Sequence, residues 1–156
     1  MDASLINPFV DATLNVLRTM AQTDASVGKP FLKRGNVTWG EVTGIIGMAS
    51  EEVNGNMVVS FDAPAILKIV SAMLMERFVE IDKDVVDAVG EITNMICGGT
   101  KKVLAEQGYA ISMASPLVVT GKDIKLSQLG EAPVISIPFS VEGGRFVVEA
   151  NLQKRS

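Results

Sequence analysis

Asp87, Glu91 and Asn94 stand four and then three residues apart, a spacing that puts all three on one face of a helix with 3.6 residues per turn. Gly98 continues the same line. An asparagine amide accepts a hydrogen bond from water through its carbonyl and donates from its nitrogen, but it cannot remove a proton. Asn94 therefore suits positioning, not strong base catalysis. Small residues beside an acid and an amide let another surface come close while the two polar side chains project into it.

The helix that must carry these residues runs from about Asp84 to Glu106. Val85, Val89, Ile92, Ile96 and Val103 fall in one narrow stripe on its other side, which has to be packed against something apolar. The polar side is read as carrying Asp87, Gly90, Thr93, Asn94, Gly98 and Gly99. A face selected only for stability would use Glu, Lys, Gln, Arg or Ala, because each glycine inside a helix costs about 1 kcal/mol relative to alanine and Asp, Asn and Thr cost a few tenths. The composition of this face points to a partner.

Several kinds of chemistry are excluded. The chain has no histidine, which removes serine triads, histidine phosphotransfer and the commonest transition-metal ligand. Its one cysteine, Cys97, makes neither an internal disulfide nor a two-cysteine metal clamp and reads as a small packing residue, so a reducing cytoplasm is expected. A net charge of −4, with Lys101, Lys102, Lys154 and Arg155 too few to form a basic stripe, argues against nucleic acid. The start at Met1 and Asp2 lacks the pattern of a signal peptide, and no apolar run approaches the roughly 20 residues of a membrane span, so a soluble protein is expected. Gly35, Gly40, Gly44 and Gly47 do not form a phosphate loop, and no nucleophile has a base beside it, which disfavours a free-standing phosphate-ester hydrolase.

At 156 residues the chain has the size of one domain, taken as 1–156. Asn7-Pro8 reads as the start of a first helix that ends before Gly28 and Pro30. The β-branched and aromatic run Val37 to Met48, a turn at Asn54-Gly55, and Met57 to Phe61 read as a hairpin. Asp62 and Pro64 open a second helix burying Ile66, Leu67, Ile69, Val70, Met73 and Leu74. Tyr109–Met113, Leu117–Thr120, Val134–Val141 and Phe146–Leu152 read as strands, the last two joined by Glu142-Gly143-Gly144. The fold class is therefore α+β, with three main helices packed on a mixed, mostly antiparallel sheet. Gly55 to Val59 also lays on Gly144 to Val148, a short match that hints at internal pseudo-symmetry.

The order Asp87, three residues, Glu91, two residues, Asn94, then twenty-one residues to Pro116 resembles the signature of the CheC, CheX and FliY family of chemotaxis phosphatases. Gly98 fits the same pattern, and the order of elements resembles the family fold over nearly the whole chain. The first helix offers Asp11, three residues, Asn15, but no Glu-x-x-Asn, so the single signature resembles the CheX branch more than the two-site CheC branch.

That resemblance implies a phosphatase acting on a phosphorylated CheY-like response regulator in bacterial chemotaxis or two-component signalling. Glu91 would pair with the regulator's lysine and Asn94 would orient the attacking water, much as a glutamine places water in GTPases. The chain itself would bind no metal or cofactor, and the regulator would supply Mg²⁺. Asp87 either joins the site or supports the helix start. Lys101 and Lys102 either meet an acidic regulator surface or, the favoured reading, stabilise the helix dipole, and Pro116 shapes the strand or turn behind the helix. The resemblance also implies a homodimer formed through the sheets, with Met57–Phe61 or Phe146–Leu152 as the edge. The alternatives are a module that docks on a regulator without turnover and a flagellar-switch component.

Overall fold

Among the described residues, nine strands and three helices follow in the order α1 (Ala3–Ala21), β1 (Ser26–Val27), β2 (Phe31–Lys33), β3 (Val42–Ala49), β4 (Val53–Phe61), α2 (Ala63–Leu74), α3 (Lys83–Glu106), β5 (Ser112–Met113), β6 (Leu117–Thr120), β7 (Val134–Val141), β8 (Gly144–Ala150) and β9 (Gln153–Lys154). The computed structural model describes residues 3–127 and 133–154. Met1, Asp2 and Arg155, used above in reading the N-terminus and the cations, lie outside them. All described strand pairings are antiparallel, in the order β1-β7-β8-β4-β3-β5, with β2 also beside β7, β6 beside β3 and β9 beside β4. The α+β expectation holds.

Alternation along the strands decides which side the helices cover. Val42, Ile46, Met48, Met57, Val59, Phe61, Ile137, Phe139, Phe146 and Val148 join residues of all three helices in one core. At its centre the rings of Phe61, Phe139 and Phe146 sit about one ring width apart, with centroids 5.1 and 5.0 Å from that of Phe146. Among the described residues the opposite side holds a small buried cluster of Ile45, Val58 and Leu126, with Val119 and Ile124 packed against it.

The β3–β4 and β7–β8 hairpins meet at the middle of the sheet through β4 and β8, with Met57 opposite Ala150 and Phe61 opposite Phe146. Neither Met57–Phe61 nor Phe146–Leu152 is therefore a free edge, because each strand already spends its hydrogen bonds on two neighbours. The edges are β1 and β2 on one side and β5 and β6 on the other. The order also reads the same from either end once β1, β7 and β8 are exchanged with β5, β3 and β4. The same exchange carries β2, beside β7, onto β6, beside β3, so the topology itself is pseudo-two-fold.

Local signals were overridden in several places. Helix α1 is already formed at Ala3 and takes Pro8 inside it; Leu5 and Ile6 pack on the core, and that burial outweighs the N–H that proline cannot supply. It ends at Ala21, ahead of Gly28 and Pro30. Asn54 and Gly55 lie within β4, opposite Ala49 and Met48, and the hairpin turns at 50–52, where Ser50 Oγ accepts from the N–H groups of Glu52 and Val53. A side chain at Gly55 would collide with the Asn151 backbone, so close packing, not a turn, explains this glycine. Strand β3 begins only at Val42, Tyr109 to Ile111 are not strand, and Leu74 at the end of α2 is exposed.

Candidate active site

The helix that carries the polar face is fixed at its start by Asp82, whose side chain accepts from Val85 N at 3.0 Å, a cap worth about 1 kcal/mol. Asp84 adds a negative charge in the first turn, where the helix dipole favours it. Val85, Ala88, Val89, Ile92, Ile96, Cys97 and Leu104 are then buried against the sheet and α1, while Val103 is half-buried.

Two close approaches clamp α3 from behind. Thr93, read above as part of the wet face, is fully buried; its Oγ1 donates to the Val89 carbonyl at 2.7 Å. It sits over Gly44 of β3, where any Cβ would overlap Thr93 Oγ1. Gly99 also leaves the polar face, since a Cβ there would stand 3.1 Å from Ala12 Cβ of α1, and a Cβ on Gly90 would meet Val118 Cγ2 of β6 at 3.4 Å. Gly44, Gly90 and Gly99 are thus small because backbones and strands come near. Nothing in their own sequence neighbourhoods distinguishes them from Gly98, which alone of the three α3 glycines faces open space, with no atom within 4 Å of a Cβ built on it.

Asp87, Glu91 and Asn94 all lie exposed. Among the described residues their side chains make no hydrogen bond or ion pair. The arrangement is a rigid, back-buried helix that presents one amide and two carboxylates with unspent hydrogen-bonding capacity, beside a gap at Gly98. Lys101 and Lys102 extend the exposed side. The last turn of α3 contains no basic residue, so these lysines stand one turn too early for the dipole role favoured above, since that effect fades within the terminal turn. Pro116 is half-buried at the head of β6, the edge strand whose Val118 packs beside α3.

Cys97 is fully buried between the faces. Burial pushes its thiol up to about 11, only partly opposed by the nearby positive charge of Lys101, so it stays protonated and is no nucleophile near neutrality. Among the described residues no group of three or more Cys, Asp or Glu is placed to hold a metal ion. Among the described residues no helix is long and apolar enough to cross a membrane.

Residues 42–140 match the family model described as chemotaxis phosphatase CheX. The CheY-P phosphatase CheX of Thermotoga maritima is 28% identical over 143 residues, 90% of either chain. Among solved structures, a CheC-like superfamily protein from Shewanella sp. PV-4 matches with a TM-score of 0.90 and 40% identity, over 98% of this chain and 99% of that one. The CheX–CheY–BeF3–Mg²⁺ complex from Borrelia burgdorferi matches with a TM-score of 0.80 and 27% identity, over 96% of this chain and 97% of the other.

Proposed function

The chain belongs to the CheX family of chemotaxis phosphatases, and on that footing we propose that it speeds loss of phosphate from the phospho-aspartyl group of a CheY-like response regulator. The observation that carries the reading is the pair Glu91 and Asn94, exposed and without partners among the described residues, on a helix whose other side is locked into the core.

Glu91 engages the regulator's lysine and so fixes the depth at which α3 enters the partner. Asn94 accepts a hydrogen bond from a water and holds it in line with the phosphorus. The water oxygen bonds to phosphorus as the bond to the aspartyl oxygen breaks; the aspartate leaves as a carboxylate, and the water's proton passes to the phosphate and bulk solvent. Such a step depends on alignment and charge neutralisation more than on a strong base. It needs no histidine. The Mg²⁺ belongs to the regulator, as the composition of the Borrelia complex suggests, and this chain's own carboxylates are spent on docking.

Gly98 leaves the space into which the regulator's backbone moves, and Asp87 borders the entry one turn before Glu91. Lys101, freed from a dipole role, meets acidic groups on the regulator, and Pro116 holds the head of β6 behind the helix. We take 1–156 as one CheX-like domain of a cytoplasmic homodimer. Its contact is assigned to a sheet edge such as β2, where Phe31 and Leu32 are 49% and 71% exposed.

The test is decay of phosphorylated regulator followed with the wild type and with Asn94→Ala. Acceleration by the wild type that falls about 100-fold, roughly 2.7 kcal/mol of barrier, in the variant is expected. A wild type that binds the regulator without speeding decay would reduce the protein to a docking module, and one that does neither would end the proposal.

A further inference from the structure

The side of the sheet away from the helices is crossed by a strap that the chemistry of α3 does not use. Segments 36–38 and 124–126 pair across it, with Val37 opposite Lys125, Thr38 N donating to the Ile124 carbonyl at 2.9 Å and Leu126 N to the Asn36 carbonyl at 2.8 Å. Side chains alternate along paired extended backbone. Thr38 and Leu126 are buried and Ile124 packs beside Ile45 and Val58, so Val37, Trp39 and Lys125 are turned outward. Val37 and Trp39 are each left 41% exposed.

The strap is held firmly. A Cβ on Gly40 would overlap the Phe61 backbone, so the missing side chain lets the chain seat on β4, where Gly40 N donates to Ser60 Oγ at 2.7 Å and Glu41 N to the Phe61 carbonyl at 2.8 Å. The guanidinium of Arg145, at the start of β8, lies over the Trp39 ring, 6.0 Å from its centre. An open recess of about 340 Å³ lies between Trp39, Lys122, Asp123 and Arg145. Its other carboxylates are committed: Glu41 accepts from Ala63 N and faces Lys122, and Asp62 accepts from the N–H groups of Ala65 and Arg145. Among the described residues, the guanidinium of Arg145, the ammonium of Lys125 and the indole N–H of Trp39 make no hydrogen bond or ion pair, and Asp123 is the one carboxylate of the recess without a partner.

We propose that the outward side of this strap docks an acidic segment of a second protein, an apolar side chain resting on Trp39 and Val37 and carboxylates meeting Arg145 and Lys125. Charge decides the occupant. Two unpaired cations against the single Asp123 favour an anionic partner, and an arginine fork already laid on a ring gives up less freedom when it takes a carboxylate in two hydrogen bonds. Trp and Arg at a rigid, half-exposed centre are the residue types that carry binding energy between proteins. These cations are too few for nucleic acid or for an anionic lipid surface, which draw on larger clusters. A second copy of the chain would set cations against cations. Because α3 packs on the other side of the sheet, a partner here leaves Glu91 and Asn94 free, and the inference does not depend on their role.

Trp39 is the chain's only tryptophan, so its fluorescence reads this surface and no other. The probe is a synthetic peptide with a Leu-Phe pair between runs of Asp and Glu, titrated beside a counterpart in which Asn and Gln replace the acids. A saturable change in Trp39 emission is expected, with a dissociation constant below about 1 mM. Affinity should be about tenfold lower or worse for the uncharged counterpart, for Arg145→Ala and for Lys125→Ala, and should weaken as salt rises. Both substituted side chains are exposed, and circular dichroism establishes that each variant is folded. No change in emission, or an equal one with the uncharged counterpart or with either variant, overturns the proposal. So does a response found only with a single-stranded oligonucleotide or with phosphatidylserine vesicles, or one that protein concentration alone produces; each gives the patch to a different occupant.

Discussion

α1 and α3 occupy equivalent places under the pseudo-two-fold, share a close contact at Ala12 and Gly99, and bury matching threonines and leucines. Their outer faces nonetheless differ. On α3 the exposed line is Asp87, Glu91, Asn94, an open Gly98 and then Lys101, whereas on α1 it is Ser4, Asn7, Asp11, Asn15 and Arg18. Arg18 is also drawn to a neighbour, Asp24, at 3.5 Å, although both are highly exposed and such a pair is worth little. The buried side of a helix is held by packing and tolerates few changes, while the outer side changes without loss of fold. Two helices with one structural job can therefore differ in function by a few surface residues.

The sharpest break in the comparison is expected in activity. Glu91→Ala or Asn94→Ala should lower regulator dephosphorylation about 100-fold, about 2.7 kcal/mol of barrier, while Asn7→Ala changes it less than about twofold. Parallel decay assays on the three variants check this, and an equal loss from Asn7→Ala would erase the difference between the helices.

Next in size is the clamp behind α3. Gly44→Ala forces a methyl into Thr93 and should cost about 1 to 3 kcal/mol, read as a lower urea midpoint at unchanged slope. Within α3, neighbouring glycines should behave oppositely. Gly99→Val crowds Ala12 and destabilises by a similar amount, whereas Gly98→Ala meets nothing and gains up to about 1 kcal/mol of helix propensity. If both substitutions stabilise, the assignment of one glycine to the helix contact and the other to the open face is wrong. A bulky Gly98→Leu should raise KM for phosphorylated regulator with little effect on the melting temperature.

The last effect appears only at alkaline pH and concerns Cys97. Its folded-state thiol lies near 11, above its ordinary 9.0, so the unfolded chain gives up that proton first as pH rises. The stabilisation is whole below pH 9 and is lost as pH climbs through 11, by at most about 2.7 kcal/mol for a rise of about two pH units. Urea midpoints across that range should fall more steeply for the wild type than for Cys97→Ala, and identical slopes would place the thiol in contact with water.

The strong periodicities were legible from the residues alone. The α3 stripe, the cap at Asp62 with Pro64 behind it, β6 and β7, and the Glu142-Gly143 turn all stand where pattern and turn chemistry put them. So does the outward face of Asp87, Glu91 and Asn94, because 3.6 residues per turn leaves no other arrangement once Val85, Val89, Ile92 and Ile96 face inward. Which small residues lie outward and which inward was not legible. Thr93 and Gly99 border the polar face by angle, yet Gly44 and Ala12, far away in sequence, make room for them inside.

Likewise Asn54-Gly55 has the composition of a turn, and only the neighbouring Asn151 backbone makes it part of a strand. The hairpins' pairing at the sheet centre depends on the same kind of contact. Local sequence determines the period and capping of each helix through interactions a few residues long. How close two elements come, and which residue faces which across that contact, is settled by segments distant in the chain and so becomes visible only in the folded structure.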